Sequence, residues 1–283
     1  MNEIPHTQVE TLSIPRLIAG TNWFLGYSHQ TASRSKLIVE TQTRETLADL
    51  LDVFFRAGCN SVYGVRPDAP HLNNAILDAE QRTGRSCVRI AIPSFDLAGT
   101  PAARDANLRI LDDYRGIGCN LLMPHQCTTD ALVDRVNRTI RGMDFFIPAI
   151  RERGMVPGLS THMPETPVYA DEMNLDIGTY IQIYNSAGFL MQVEIDWVHR
   201  MIWGCKKPVI TIKPLAAGRV QPLVGLAFCW ATLRPIDMIT VGCMTADEAR
   251  EVVEISLALL DRRLPVVNLQ ETRSKASMSA KKK

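Results

Sequence analysis

The stretch TLADLLDVFFRAGCNSVYGV, residues 46–65, changes from one hydrophobic period to another at a single glycine. Leu47, Leu50, Leu51, Phe54 and Phe55 recur at i, i+3, i+4, i+7 and i+8, which puts them on one face of a helix. Gly58 can take the left-handed conformation that ends a helix, and SVYGV reads as a short strand after it. The same punctuation, a glycine shortly before an apolar run, recurs at Gly84, Gly118, Gly154, Gly188 and Gly204, and AGCNSV even shares residues with IGCNLL.

Working outward from this unit, eight apolar runs can be counted: RLIAGTN, SVYGV, VRIAIPSF, NLLMPHQ, MVPGLSTH, FLMQVEID, PVITIKPL and DMITVG. Helical segments follow them, the last with capping-box spacing between Thr245 and Glu248. Eight strand-helix units at this length predict an α/β fold of the (β/α)8 TIM-barrel type. An open doubly wound sheet is the competitor, but no G-x-G-x-x-G follows the first run. The expected organisation is one barrel domain over residues 1–269 with an N-terminal extension, 1–15, and a disordered basic tail, 270–283.

Bulk properties narrow the function. A chain of 283 residues that is 46% hydrophobic can bury a large core. Its 31 basic and 30 acidic residues leave a net charge of +1, so no field favours nucleic acid or an anionic membrane. A small-molecule substrate is the expected partner, with homo-oligomerisation left open. The seven cysteines form no C-x-x-C pair, and the N-terminus lacks a basic region followed by an apolar one. Both features imply a reducing, cytoplasmic setting. No apolar run reaches the roughly 18 residues that would span a bilayer.

In such barrels the chemistry sits at the C-terminal ends of the strands. Those ends carry Tyr63, His125, Ser160, His162 and Lys213, and alternation along the sixth run sets Gln192, Glu194 and Asp196 on one face. If that face points inward, His125, His162 and Glu194 could hold a divalent metal or act as an acid and base pair. Lys213 could stabilise a developing oxyanion, or simply pair with Glu194. Taken singly, a strand-end histidine such as His125 or His162 is more often a hydrogen-bonded loop anchor than a catalyst. His29 could cover the mouth or sit exposed in its loop, His199 reads as structural, and His6 as part of a frayed terminus. Trp23 is placed to wall a pocket, whereas Trp203 and Trp230 read as helix packing.

Several stretches resemble the aldo/keto reductases, a family of (β/α)8 barrels that bind NADPH. AGCNSVYGVRPDAPHLNNAIL is similar to that family's second strand and helix, NLLMPHQ to the strand ending in the catalytic histidine, GLSTHMPE and MQVEID to the fifth and sixth strands, and PVITIKPLAAGRV with TVGCMTADEAREVV to the cofactor-binding last quarter. The resemblance implies a catalytic His125, a tyrosine acid displaced to Tyr63, and cofactor contacts at Gln192, Ser160 and Gly242. It also exposes departures. The family's aspartate position falls near Asn60 or Ser61, VRIAIPSFD lacks the family's lysine, and Met244 stands where an arginine grips the adenosine 2′-phosphate. A degenerate tetrad disfavours NADP. The favoured expectation is therefore non-redox acid/base chemistry on a small polar carbonyl or sugar-like compound, of isomerase, epimerase or lyase type. The alternatives are an NADP-dependent oxidoreductase with an altered tetrad, and a non-catalytic barrel that binds a ligand or partner.

Overall fold

A computed structural model describes residues 3–270 and 272–278. Eight parallel strands close into a barrel: β3 (Leu17–Gly20), β4 (Ser61–Tyr63), β5 (Val88–Ala91), β6 (Leu121–Leu122), β9 (Val156–Ser160), β10 (Thr179–Ile183), β11 (Val209–Ile212) and β12 (Met238–Val241). Two antiparallel hairpins lie outside the barrel, β1 (His6–Val9) with β2 (Leu12–Pro15) and β7 (Val133–Asp134) with β8 (Thr139–Ile140). The helices are α1 (Ala32–Thr41), α2 (Arg44–Arg56), α3 (Pro70–Thr83), α4 (Pro101–Gly116), α5 (Gln126–Leu132), α6 (Met143–Arg151), α7 (Glu165–Glu172), α8 (Ile195–Gly204), α9 (Pro222–Thr232), α10 (Ala246–Leu260) and α11 (Arg273–Ala276). None is long and apolar enough to cross a membrane.

Helix α2 forms as its period predicts. Leu47, Leu50, Leu51, Phe54 and Phe55 are all fully buried, each side chain contributing about 1.5–3 kcal/mol by leaving water. Thr43 and Thr46 make a reciprocal cap at its start. Gly58 closes the end at φ +81, with its N–H donating to the Phe55 carbonyl at 3.0 Å.

The sixth strand is not where alternation placed it. FLMQVEID lies in the loop and helix start that follow β10, and TYIQI, residues 179–183, is the strand. All five of its residues are buried, paired in parallel with β9 and β11. A strand buried on both faces gives no alternation to read, and Thr179 and Gln182 interrupt its apolar run. The polar-apolar pattern of 189–196 instead marks a turn and the first residues of amphipathic α8, whose N-cap is Glu194.

The barrel interior is filled by Ile18, Tyr63, Ile90, Leu121, Met123, Ile181, Ile183, Ile210, Ile212 and Met238, and its floor is closed by Val9 and Ile14 of the N-terminal hairpin. The first residues are thus structured rather than frayed at His6. The His6 ring bonds Ser13 Oγ at 3.0 Å and the Gly58 carbonyl at 2.9 Å, and Thr7 Oγ1 donates to the Ile236 carbonyl at 2.9 Å. Six cysteines are buried and Cys127 is exposed. In the tail, α11 forms one turn at Arg273–Ala276, while residues 271 and 279–283 lie outside the described residues.

Candidate active site

Barrel geometry gathers the strand ends at one mouth, and the mouth opens into a single cavity of about 1350 Å³. Tyr63, His125, Ser160, His162, Lys213 and Thr240 line it, together with Trp23, Gly242, Met244, Glu248 and Glu251. Trp23 can lie flat on the chain only because residue 242 is glycine, where a Cβ would stand 2.6 Å from the indole. The Arg34 guanidinium stacks on the same indole at 5.2 Å.

Each mouth residue is held by its own local structure. His125 is the N-cap of α5; its Nδ1 accepts from the Cys127 N–H at 3.3 Å and lies 3.0 Å from Cys127 Sγ. His162 follows β9, and its backbone N–H donates to Asp130 Oδ2 at 3.2 Å while Thr161 Oγ1 bonds the other oxygen of that carboxylate. Burial pushes the Asp130 carboxyl up, against those hydrogen bonds. Lys213 ends β11 with φ +62, and Ala216, Ala217 and Gly218 after it also have positive φ. Such strain, about 1–3 kcal/mol per non-glycine residue, persists where surrounding structure enforces it. Part of that enforcement comes from the loop after β3: Gln30 Nε2 donates to the Ala217 carbonyl at 2.7 Å, and His29 Nε2 lies 3.3 Å from Lys213 Nζ. His29 therefore does cover the mouth.

Of the cations that line the cavity, Lys213 acts on all three mouth histidines. Burial lowers the Lys213 ammonium to about 8, and no carboxylate lies within ion-pair distance of it among the described residues. His162 is lowered to about 4 by burial and then by Lys213, His125 and His29. His125 and His29 are lowered in the same way, burial first and Lys213 second. Two donors, Lys213 Nζ and Asn22 Nδ2 at 3.0 Å, converge on His29 Nε2, which fits a neutral ring protonated at Nδ1. Near neutral pH the mouth is thus three uncharged imidazoles around one ammonium. Burial raises the Tyr63 phenol, a shift opposed by its hydrogen bond with Ser160.

The expected metal set is not assembled. With the sixth strand relocated, Glu194 is exposed at the start of α8 and Gln192 is exposed in the preceding loop, and neither lines the cavity. His125, His162 and Glu194 therefore cannot share an ion, Lys213 does not pair with Glu194, and no group of three candidate ligands occurs among the described residues. His199 packs as a structural residue, on Tyr184 and the Thr232 carbonyl, and Trp230 packs under Arg16. Trp203 bonds the Thr232 carbonyl at 2.8 Å with much of its ring in solvent.

Three residues escape a sequence reading. Asp130 lies on α5, where nothing marks it as the anchor of the β9 turn. Glu248 looks like a helix cap and nothing more. Thr240 sits inside the run DMITVG, yet it lines the cavity with its hydroxyl buried and unpartnered.

No protein-family model and no curated protein sequence matches the chain. Solved structures do. A Pseudomonas aeruginosa chain described as a candidate aldo-keto reductase superposes with a TM-score of 0.65 at 14% identity, covering 92% of this chain and 97% of that one. A Klebsiella pneumoniae aldo/keto reductase in complex with NADP and acetate gives 0.57 at 15% identity, covering 98% and 94%. A thermostable aldo-keto reductase in complex with the inhibitor epalrestat gives 0.59 at 14% identity, covering 96% and 97%. These neighbours are reductases by name, and Glu194, the carboxylate on which the acid/base expectation relied, does not line the cavity, so the isomerase, epimerase or lyase expectation is withdrawn. At these identities what is shared is the architecture: the chain has an aldo-keto reductase-like (β/α)8 fold.

Proposed function

We propose that the chain is a nicotinamide-dependent oxidoreductase that acts on a small polar carbonyl compound, with a proton-delivery set different from the usual tetrad. The observation that carries this reading is the shape and charge of the cavity. At about 1350 Å³ it exceeds the roughly 300–1,000 Å³ of a single-ligand pocket, and its lining runs from the buried Lys213 to Trp23, Met244 and Glu248. The residues present fit a dinucleotide in kind: Lys213, Arg34, Arg66 and Arg219 line the cavity as cations, and the unpartnered Thr240 hydroxyl and Ser160 offer polar contacts.

When bound, the nicotinamide ring supplies or accepts the hydride. The chain handles the proton and the geometry. Lys213, poised near 8, is the group best matched to protonating the oxygen of a carbonyl as it is reduced, because general acids work best close to the operating pH. Tyr63, pushed upward by burial, is a weaker acid and serves with Ser160 to orient that oxygen. The neutral His125 and His162 hydrogen-bond substrate without competing for the charge. The loop carrying His29 and Gln30 excludes water from the mouth.

The test is consumption of a reduced nicotinamide nucleotide against a panel of small aldehydes and hydroxy-ketones, with Lys213→Met beside the parent chain. Turnover in the parent and a loss of about 10²–10⁴-fold in the variant is the expected result. Unchanged turnover in the variant would remove Lys213 from the chemistry. A second reading, a ligand-binding barrel without turnover, is favoured by Tyr63, whose phenol is raised by burial and hydrogen-bonds Ser160. Nucleotide binding with no oxidation by any carbonyl would support that reading.

A further inference from the structure

We infer that residues 22–31 form an acid-sensitive strap over the cavity: a neutral His29 holds it shut against Lys213, and protonation of His29 lets it open. Such a strap sets access to the cavity whatever ligand enters, so it stands apart from the nicotinamide reading.

Three contacts fasten the strap to other loops at the mouth. Tyr27 Oη accepts from Arg66 Nη1 at 3.0 Å, in the loop after β4, where Asp68 holds the same guanidinium through two further hydrogen bonds. Gln30 Nε2 donates to the Ala217 carbonyl at 2.7 Å, and Lys213 Nζ donates to His29 Nε2 at 3.3 Å. Asn22, Trp23, Tyr27, His29 and Gln30 all line the cavity, so the strap is part of its wall. Little else holds it down. Phe24 and Ser28 are its buried residues and the others are half-buried or exposed, which is the make-up of a segment that opens at low cost. His29 and Lys213 both sit in left-handed backbone, at φ +54 and +62, which a non-glycine residue keeps only while its surroundings enforce it. Losing their contact removes part of that enforcement on both sides.

His29 is the member of the strap that can respond to acid. Its Nε2 accepts from two donors at once, Lys213 Nζ and, at 3.0 Å, Asn22 Nδ2 of the strap itself. A proton on Nε2 turns this acceptor into a donor, so both bonds are lost, and an imidazolium then faces an ammonium in a partly dehydrated site where like charges repel more strongly than in water. The charged groups that act on His29 are cations, Lys213 at the end of β11 and Arg219 before α9, and His162 after β9 is the titratable neighbour on the far side of the mouth. Burial first, then Lys213 and Arg219, hold the shut-state imidazole below its free value of 6.5. The sign follows: the shut strap is fully favoured above pH 6.5 and loses that advantage as the pH falls. At pH 5, 1.5 units below the free value, the open population rises by up to about thirtyfold. The Gln30–Ala217 bond has no titratable group and is the same at either pH.

The experiment is amide hydrogen exchange on the full chain at pH 8 and pH 5, with each rate divided by the intrinsic chemical rate at that pH. The amides to follow are those of Tyr27, bonded to the Asn22 carbonyl at 2.8 Å, and Gln30, bonded to Ser28 Oγ at 3.1 Å. In the parent chain their protection should fall about tenfold or more between pH 8 and pH 5, while residues 238–241 of β12 should not change. His29→Gln keeps an acceptor for Lys213 that does not titrate, so its strap should be equally protected at both pH values. Lys213→Met removes the opposing ammonium and should show a smaller fall than the parent. Equal protection of the parent strap at the two pH values would overturn the inference. So would a fall undiminished in both variants, which would assign the response to another group, or a matching fall in residues 238–241, which would make the loosening global.

Discussion

Replacing Lys213 by methionine should make the protein more stable while removing its chemistry, and the gain can be worked out. Burial holds the ammonium at about 8 in the folded chain against 10.5 when free, a difference of about 2.5 pH units. At 1.36 kcal/mol per unit this is about 3 kcal/mol of destabilisation, to order of magnitude, fully present at neutral pH where the lysine is charged in both states. The sign follows from proton counting. Between about 8 and 10.5 the unfolded chain binds more protons at this position than the folded one, so stability rises with pH across that window and the penalty is gone above it. Methionine keeps the length of the side chain and discards the charge. The left-handed backbone at φ +62 stays in both chains and cancels from the comparison. Urea unfolding at pH 7 should therefore show Lys213→Met about 1–3 kcal/mol more stable than the parent, and the gap should close as the pH approaches 10.5. A variant less stable than the parent at pH 7, or a gap that does not change with pH, would refute a lysine buried without compensation.

His162 should stay neutral down to about pH 4, seen as an imidazole resonance that titrates far below the usual histidine range. Because its folded value lies below the free value of 6.5, about 3 kcal/mol of stability present above pH 6.5 should be lost as the pH falls toward 4, and urea unfolding across that window would read it. Asp130→Asn should weaken the Thr161 and His162 anchor, costing about 1–3 kcal/mol in thermal unfolding and displacing the imidazole. Gln30→Ala removes one latch across the mouth and should speed nucleotide release about two- to tenfold in stopped-flow measurements, with little effect on stability. Glu194→Ala should change neither nucleotide binding nor turnover, because its side chain makes no cap hydrogen bond and lies away from the cavity.

The sequence displays features that repeat locally and conceals those that depend on distant partners. Residues 46–65 announce the barrel because a one-faced helix, a left-handed glycine and an apolar strand are each written in a few consecutive side chains. TYIQI escapes because a strand buried on both faces has no period, and the conspicuous alternation further along belonged to a helix start. That one misplacement carried Gln192 and Glu194 into a site they never reach. His125, His162 and Lys213 were legible as polar residues ending apolar runs. Their charge states were not, since these depend on burial and, for the two histidines, on the Lys213 ammonium supplied by another strand. Thr240 and Asp130 were invisible for the same reason: what distinguishes them is a partner missing in one case and supplied from another unit in the other.

The N-terminal hairpin has a consequence for synthesis. Its Thr7 hydroxyl is tied to the Ile236 carbonyl, Arg16 donates to the Asp237 carbonyl at 2.8 Å, and the first barrel strand pairs with the last. The seam is therefore written by the two ends of the barrel sequence. A nascent chain leaving the ribosome holds β3 as an open edge, with the floor residues Val9 and Ile14 uncovered, until Met238–Val241 emerges. A stall before that point releases a curved sheet with two unpaired edges, the form most exposed to chaperones and to aggregation.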